Sequence, residues 1–394
     1  MIDWSVIITG ATPFVAYANG ANDNFKGVAT LFGSGITEYR KALLWATITT
    51  LPASVAAFFF PTELISIFQG KGLLPRELSG SEPFVASVAL GAALMVMLAT
   101  KPGMPISTTH SLTGALCGSG LVAIGFDLGF KALVANFFIP LLISPFCALA
   151  IAAFGFPLLN RFVARAGLNP ENCLCIEEVA PSKVTPEGLL YEAAPGLRVI
   201  MDREAVCARP GSRTIFGING RKLLDANDFL SAGAVSFARG LNDTPKIVAL
   251  SLVAGALEVR LSILPVAIII AFGGLLNARA VAQTLSKRIT GMEPIHGLWA
   301  NLVTSFLVIF AAKWGLPVST THVSCGALFR HRHRERPGAL ENDSHNDSHN
   351  IDGMAADVAA LRAAGRGRLC GIPAVLTFCS PADSICILGL KICI

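Results

Sequence analysis

Apolar stretches long enough to span a bilayer alternate along this chain with short polar gaps rich in glycine and proline. A spanning helix needs about 20 mostly apolar residues. The first half offers such stretches near residues 4–18, 42–60, 83–100 and 131–158, with a shorter apolar piece at 111–126. The pattern predicts an all-α polytopic membrane protein, yet two gaps fall where a helix should be continuing or beginning. They are residues 19–27 (NGANDNFKG) and 101–110 (KPGMPISTTH). Irregular backbone at membrane depth is tolerated only when buried in protein or lining a water-filled cavity. Broken helices or re-entrant hairpins are therefore expected at both places, and again at 239–246 and 313–322.

Both gaps occur twice. Lys101 to His110 returns as Lys313-Trp314-Gly315-Leu316-Pro317-Val318-Ser319-Thr320-Thr321-His322, where only Trp314 for Pro102 is not a like-for-like exchange; 313 against 101 is an offset of 212. Tyr17-Ala18-Asn19-Gly20-Ala21-Asn22-Asp23 returns as Phe237-Ala238-Arg239-Gly240-Leu241-Asn242-Asp243, followed in both copies by Lys26/Lys246; 243 against 23 is an offset of 220. Solenoid units repeat every 20–50 residues or so, so these are duplicated subdomains. Residues 1–158 read as a first transmembrane repeat, 159–228 as a hydrophilic connector and 229–329 as an incomplete second repeat. The connector carries nine Lys/Arg and nine Asp/Glu, with Arg161, Arg165, Arg221 and Lys222 beside the membrane. Basic residues near span ends stay cytoplasmic, which places the connector and the turn at 36–41 (beside Arg40 and Lys41) inside and the N-terminus outside. An odd number of crossings per half follows, and it makes the halves inverted copies.

Composition fixes the class. The chain is 53% hydrophobic and 14% charged, with a mean hydropathy of +0.60, against about 25% charged in a soluble domain. This is an integral membrane protein, expected as a multi-pass protein of the cell inner (plasma) membrane. The net charge of +5 is spread out, so no nucleic acid is implied. Cys117, Cys147 and Cys325 lie in apolar stretches, and no cysteine pair has zinc spacing. No metal site and no cofactor are expected. Met1-Ile2-Asp3 lacks a basic leader, so the first apolar stretch reads as a retained span.

The repeated residues carry the chemistry. In Pro-[Ile/Val]-Ser-Thr-Thr-His, proline suits the first turn of a helix. Ser107, Thr108, Thr109 and their counterparts Ser319, Thr320, Thr321 set hydroxyls beside backbone N–H groups that have no helical partner. Such an end binds anions, phosphate and sulfate in particular. A single Ser-Thr-Thr is more often helix–helix glue; two copies in hydropathy gaps reverse that judgement. Asn22-Asp23 and Asn242-Asp243 supply carboxylate and amide oxygens at membrane depth, where an ionisable residue is by default an ion or proton site. Gly20 and Gly240 are expected to let the backbone unwind there. Lys26 and Lys246 either balance the aspartates or snorkel to the surface, and snorkelling is the reading favoured. His110 and His322 read either as proton-sensitive ligands or as groups bonded to nearby backbone. Inverted repeats with broken helices place cargo and coupling ions near the midplane, so these residues describe an anion–cation symporter.

At these residues the chain resembles the inorganic phosphate transporter (PiT) family of bacterial-type phosphate/sulfate permeases, on Gly20-Ala21-Asn22-Asp23 and Pro105 to His110 with their second copies, over roughly residues 1–329. The resemblance implies phosphate uptake coupled to sodium or protons. It would place phosphate against Ser107, Thr108, Thr109, Ser319, Thr320 and Thr321 with Asp23 and Asp243 nearby, and coupling ions at Asn22, Asp23, Asn242 and Asp243. The chain departs from the family at Asn24-Phe25-Lys26 and at Leu241 and Thr244-Pro245. Sulfate is the alternative cargo. A membrane-embedded hydrolase and a channel are rivals from other classes, but HExxH, GxSxG and GxxxxGK[ST] are all absent. The expected partners are phosphate or sulfate and the lipid bilayer, with a homo-oligomer left open.

The duplication stops at Phe329. Thr113-Gly114-Ala115-Leu116 is echoed by Cys325-Gly326-Ala327-Leu328, but the second half then turns into Arg330-His331-Arg332-His333 and a run of Asn, Asp, Ser and His. A disordered polar tail is one reading. The other is a frameshift: Asn-Asp-Ser-His codons (AAY-GAY-AGY-CAY) read one base later encode only Met/Thr, Ile/Thr, Val/Ala and Ile/Thr. Residues 330–394 are therefore expected to be a non-family tail that truncates the second repeat and leaves its Ser-Thr-Thr helix unsupported.

Overall fold

The computed structural model describes residues 3–59, 63–165, 172–179, 182–184, 190–192, 196–203, 212–252, 259–286, 294–334, 384–387 and 390–393. By its internal contacts the chain divides into two units, Met1–Phe329 and Arg330–Ile394. The first half begins with α1 (Trp4–Asp23), whose N-cap Asp3 accepts the Ser5 N–H at 3.2 Å. A 3₁₀ turn, Lys26–Val28, leads into α2 (Ala29–Gly33) and then α3 (Tyr39–Ala56). The short α4 (Glu63–Phe68) and α5 (Arg76–Ser79) precede α6 (Glu82–Thr100) and α7 (Thr108–Ile124). Next come α8 (Phe130–Leu133), a π-helical stretch Val134–Phe138, and the long α9 (Ile139–Arg165). The second half contains α10 (Gly220–Ser251), α11 (Val259–Asn277), α12 (Arg279–Thr284), α13 (Pro294–Lys313) and α14 (Thr320–Arg334).

Among the described residues, four helical segments are long and apolar enough to cross a membrane: Tyr39–Phe59, Glu82–Thr100, Phe130–Phe162 and Ile295–Lys313. Along the third, Ile139, Ile143, Phe146, Phe154, Leu158 and Phe162 are exposed, an apolar face that lipid accommodates and water does not. The membrane part is helical; outside it the chain departs from an all-α description. In the connector, β1 (Asn172–Val179) pairs antiparallel with β4 (Gly196–Arg203) and β5 (Ser212–Asn219), and β2 (Ser182–Val184) with β3 (Leu190–Glu192). In the second unit β6 (Ser384–Ile387) pairs with β7 (Leu390–Cys393).

Packing in the membrane part is reciprocal. Helix α1 lies against α6 of its own half and α11 of the other; α10 lies against α13 of its own half and α3 of the other. Glycine makes both cross-half contacts close. A Cβ on Gly20 would land on the Ile270 carbonyl, and one on Gly240 would lie 2.8 Å from Ala53 Cβ and 2.9 Å from the Thr50 carbonyl. Small residues permit such approach between membrane helices. This corrects the expectation that Gly20 and Gly240 unwind the backbone, since both sit inside helices. The expected break at 239–246 is corrected too. Arg239 to Lys246 run through the uninterrupted α10, whereas the first copy does break after Asp23.

The two repeated decapeptides form matching turns. Gly103 (φ +77°) and Gly315 (φ +69°) take left-handed conformations, which glycine adopts without a Cβ penalty. The helices after them start at Thr108 and Thr320, capped by Ser107 and Ser319. Pro105 and Pro317 therefore precede the caps, and do not occupy the first helical turn as expected from sequence.

Helix α9 crosses to the other half. Ala148 and Ala152 pack with Ala300, Val303, Val323 and Ala327, Trp299 Nε1 donates to the Ala152 carbonyl at 3.1 Å, and a Cβ on Gly326 would strike the Pro145 carbonyl. The second Ser-Thr-Thr helix is thus covered by the first half, contrary to the expectation that truncation leaves it unsupported.

Gly20→Ala is expected to lower thermal stability in detergent by about 1–3 kcal/mol through overpacking. Gly10→Ala, also inside α1, should not destabilise and should gain up to about 1 kcal/mol of helix propensity, because no described atom lies within 4 Å of the added Cβ. Melting curves of the two variants check the contrast.

Candidate functional site

The two hairpin tips meet tip to tip, and the two Asn-Asp segments close around them. Thr109 Oγ1 donates to the Val318 carbonyl at 3.1 Å, and the rings of His110 and His322 stack edge to face with centroids 4.5 Å apart. Ser107 and Ser319 accept the His110 and His322 backbone N–H groups at 3.3 and 3.2 Å. His110 Nδ1 also lies 3.0 Å from Ser107 Oγ. Both histidines are thus engaged at the caps. Thr320 is buried at the point matching Thr108.

Asn22 and Asn242 hold the hairpin backbones. Asn22 Nδ2 donates to Thr100 Oγ1 at 2.9 Å and the Met104 carbonyl at 3.0 Å, and Asn22 Oδ1 accepts the Ile106 N–H at 3.0 Å. Asn242 Nδ2 donates to the Val318 carbonyl at 3.2 Å and to Asp243 Oδ1 at 3.1 Å. Asp23 and Asp243 share one donor, Asn19 Nδ2, at 3.0 and 3.2 Å. Asp23 Oδ2 also accepts Thr108 Oγ1–H at 2.8 Å.

Lys26 and Lys246 overturn the snorkelling expectation. Their side chains are 5% and 1% exposed, and each is paired with the aspartate three residues before it. Lys26 Nζ donates to Asp23 Oδ1, to the Ile106 carbonyl and, across the halves, to Thr321 Oγ1 at 2.8 Å. Lys246 Nζ donates to Asp243 Oδ1 at 3.3 Å, the Val318 carbonyl at 3.2 Å and, across the halves, Thr109 Oγ1 at 2.6 Å. In α10 a lysine three residues after an aspartate shares its helix face, and Lys26 reaches Asp23 from the 3₁₀ turn that follows α1; in both copies an unpaired buried charge would be too costly to leave.

Asn19, Asn24, Thr50 and Arg239 belong to the same network, and the sequence reading assigned them no role. Arg239 Nη2 donates to Asn24 Oδ1 at 2.8 Å and Thr50 Oγ1 at 2.9 Å, and Nη1 to Asn19 Oδ1 at 3.3 Å, lying 4.0 Å from Asp243 Oδ2. A signal existed. Arg239 stands where the first copy has Asn19, a charge inserted in an otherwise repeated segment. Two carboxylates thus face three buried cations, an excess of positive charge that complements an anion. A cleft beside this centre is lined by Lys26, Thr30, Asn301, Thr304, Thr321, Ser324 and Cys325. Among the described residues no group of three His, Cys, Asp or Glu side chains is placed to hold a metal ion.

The profile of the phosphate transporter family matches residues 19–330. The chain belongs to that family. It is 26% identical over 347 residues to a protein provisionally named as a phosphate permease from Pyrococcus abyssi, covering 80% of this chain and 85% of that one. It is also 26% identical over 378 residues to the chloroplastic inorganic phosphate transporter 2-1 of Arabidopsis thaliana, covering 80% of this chain and 63% of the relative. A solved structure described as the sodium-dependent phosphate transporter superposes with a TM-score of 0.64 over 92% of this chain and 95% of that one, at 19% identity. That likeness shows a shared fold. The family match ends at residue 330, where the polar tail begins.

In this phosphate transporter family member, Arg239→Met is expected to destabilise the fold by about 3–5 kcal/mol, because it leaves Asp243 with less compensation in a dry interior. Arg239→Lys should recover only part of the loss, since one ammonium cannot span Asn19, Asn24 and Thr50 as a planar guanidinium does. Thermal melting of both variants checks this.

Proposed function

We propose that the chain is a secondary active transporter that carries inorganic phosphate across the membrane in symport with a cation, sodium or the proton. The observation that carries this reading is the meeting of the two hairpin tips, where Thr109 and Thr321 hydroxyls each rest on the lysine of the opposite half beside a buried aspartate. Phosphate arriving through the cleft would part Lys26 from Thr321 and Lys246 from Thr109, and take both donors of each pair. In this reading the anion contacts Ser107, Thr108, Thr109, Ser319, Thr320 and Thr321, and the coupling cation sits by Asn22, Asp23, Asn242 and Asp243. The names of the family, of the Arabidopsis relative and of the solved structure support phosphate as cargo.

Sulfate is the rival, and the aspartates argue against it. An ionised carboxylate only accepts hydrogen bonds. Phosphate near neutral pH keeps a proton to donate to an ionised carboxylate, whereas sulfate has none. The halves act as inverted repeats, consistent with the reciprocal packing of α1 and α10. One residue lining the cleft, Asn301, bonds Ser231 in the body of α10. In this reading the connector is cytoplasmic and the protein sits in the inner membrane.

A second reading, an inactive truncated transporter, is favoured by one observation. The seat that Pro145 of α9 fills on Gly326 is vacant at the equivalent Gly114, where a Cβ would meet no described atom within 4 Å. The span lost after Phe329 would, by reciprocity, cover α7. Domain limits at 158, 228 and 329 follow from this reading. The gene's nucleotides after the Phe329 codon should read apolar in the shifted frame; a polar shifted frame defeats the frameshift. Gly114→Val should leave the present chain's stability unchanged and destabilise a version with the span restored.

Phosphate uptake into proteoliposomes tests the function. Thr109→Val and Thr321→Val are each expected to weaken phosphate affinity by about ten- to a hundredfold, from loss of roughly 1.5–3 kcal/mol per hydrogen bond to a charged group. Ser107→Ala and Ser319→Ala should act more on stability, by about 1 kcal/mol for a lost cap. Wild-type affinity in both threonine variants would reduce the repeats to helix–helix glue.

A further inference from the structure

We infer that Lys26 and Lys246 are tethered cations standing in the two seats where a transported metal cation would bind, so that this protein binds its anion without sodium. The inference rests on the symport reading above and narrows its coupling ion. A hard cation in a protein is held by carboxylate, carbonyl and amide or hydroxyl oxygens. Each ammonium is held by that set: one carboxylate oxygen, one backbone carbonyl and one hydroxyl. For Lys26 these are Asp23, Ile106 and Thr321; for Lys246 they are Asp243, Val318 and Thr109. The partners correspond pair by pair across the duplication, with each hydroxyl taken from the opposite half. An ammonium has three protons to donate, and each of these lysines uses all three on the ligand set.

Three further observations weigh against a metal at either seat. Both side chains are at least 95% buried, at 5% and 1% exposure, so neither ammonium swings to solvent without opening the site. The second oxygens of the two carboxylates are committed to Asn19 and, for Asp23, to Thr108. The side-chain oxygens of Asn22 and Asn24, which could help complete a shell, already accept the Ile106 N–H and Arg239 Nη2. Among the described residues Asn242 Oδ1 has no hydrogen-bond partner, but one neutral oxygen is not a cation site. Charge agrees with geometry. Three fixed cations already outnumber two carboxylates, so an added sodium ion is not needed to attract an anion, and it would be repelled by the ammonium beside each carboxylate. Within the symport reading, the proton is then the coupling ion that remains.

The test uses the purified full chain. Equilibrium dialysis with ²²Na⁺ measures sodium binding, and radiolabelled phosphate binding is measured in sodium chloride and in choline chloride. The expected results are no saturable ²²Na⁺ binding by the wild type and a phosphate affinity within about twofold in the two salts, under 0.5 kcal/mol. The double variant Lys26→Ala with Lys246→Ala vacates both seats. It is expected to gain saturable ²²Na⁺ binding and to hold phosphate at least about tenfold more tightly in sodium than in choline. Saturable sodium binding by the wild type overturns the inference, as does a tenfold loss of its phosphate affinity in choline. A folded double variant that gains no sodium site overturns it too. If the double variant does not fold, the wild-type dialysis decides alone. The two readings fail separately. A wild type that binds neither sodium nor phosphate, but binds sulfate, removes phosphate as the cargo and leaves the tethered cations standing. Sodium-dependent phosphate binding does the opposite.

Discussion

Everything at the centre of this protein follows from charge buried where water cannot reach it. Asp23, Asp243, Lys26, Lys246 and Arg239 have side chains no more than 5% exposed, and an isolated ion in such a place is untenable. Each lysine answers the aspartate three residues before it and a hairpin threonine of the opposite half. The same contacts that neutralise the charges therefore hold the two halves together. Gly20 and Gly240 serve that arrangement by letting α1 and α10 press against α11 and α3, which brings the charged helix segments close enough to share Asn19.

The sequence disclosed the duplication, the membrane class, the hairpin turns at Gly103 and Gly315 and the residues that gather at the centre. Identity of type and spacing carries that information. It did not disclose which way long side chains point. Lys26 and Lys246 have stems that suit snorkelling as well as burial, and only the position of each helix relative to the hairpin tips decides between them. Arg239 was legible only as a mismatch against Asn19. Its contacts with Asn24 and Thr50 join residues far apart in the chain, and no local pattern announces them. The connector strands were hidden for another reason: the hydrophilic composition of 159–228 marks an exposed segment without distinguishing strand from coil.

Proline and glycine were also read too locally. Pro245 sits within α10 without ending it, where neighbouring membrane helices support a backbone that would break in water. The continuous α10 and the interrupted α1–α2 show that one motif can be embedded in two backbones while its Asp and Lys keep the same relation.

The exchange of Asn19 for Arg239 has a consequence for movement. Were the halves identical at this centre, a state opened at Lys26–Thr321 and one opened at Lys246–Thr109 would have equal free energy, and the protein would divide its time evenly between them. A guanidinium on one side of the centre and an amide on the other lift that degeneracy. On the proposed transport reading, this pair of side chains, together with the unlike backbones of α1–α2 and α10, biases the resting orientation before any gradient acts on it.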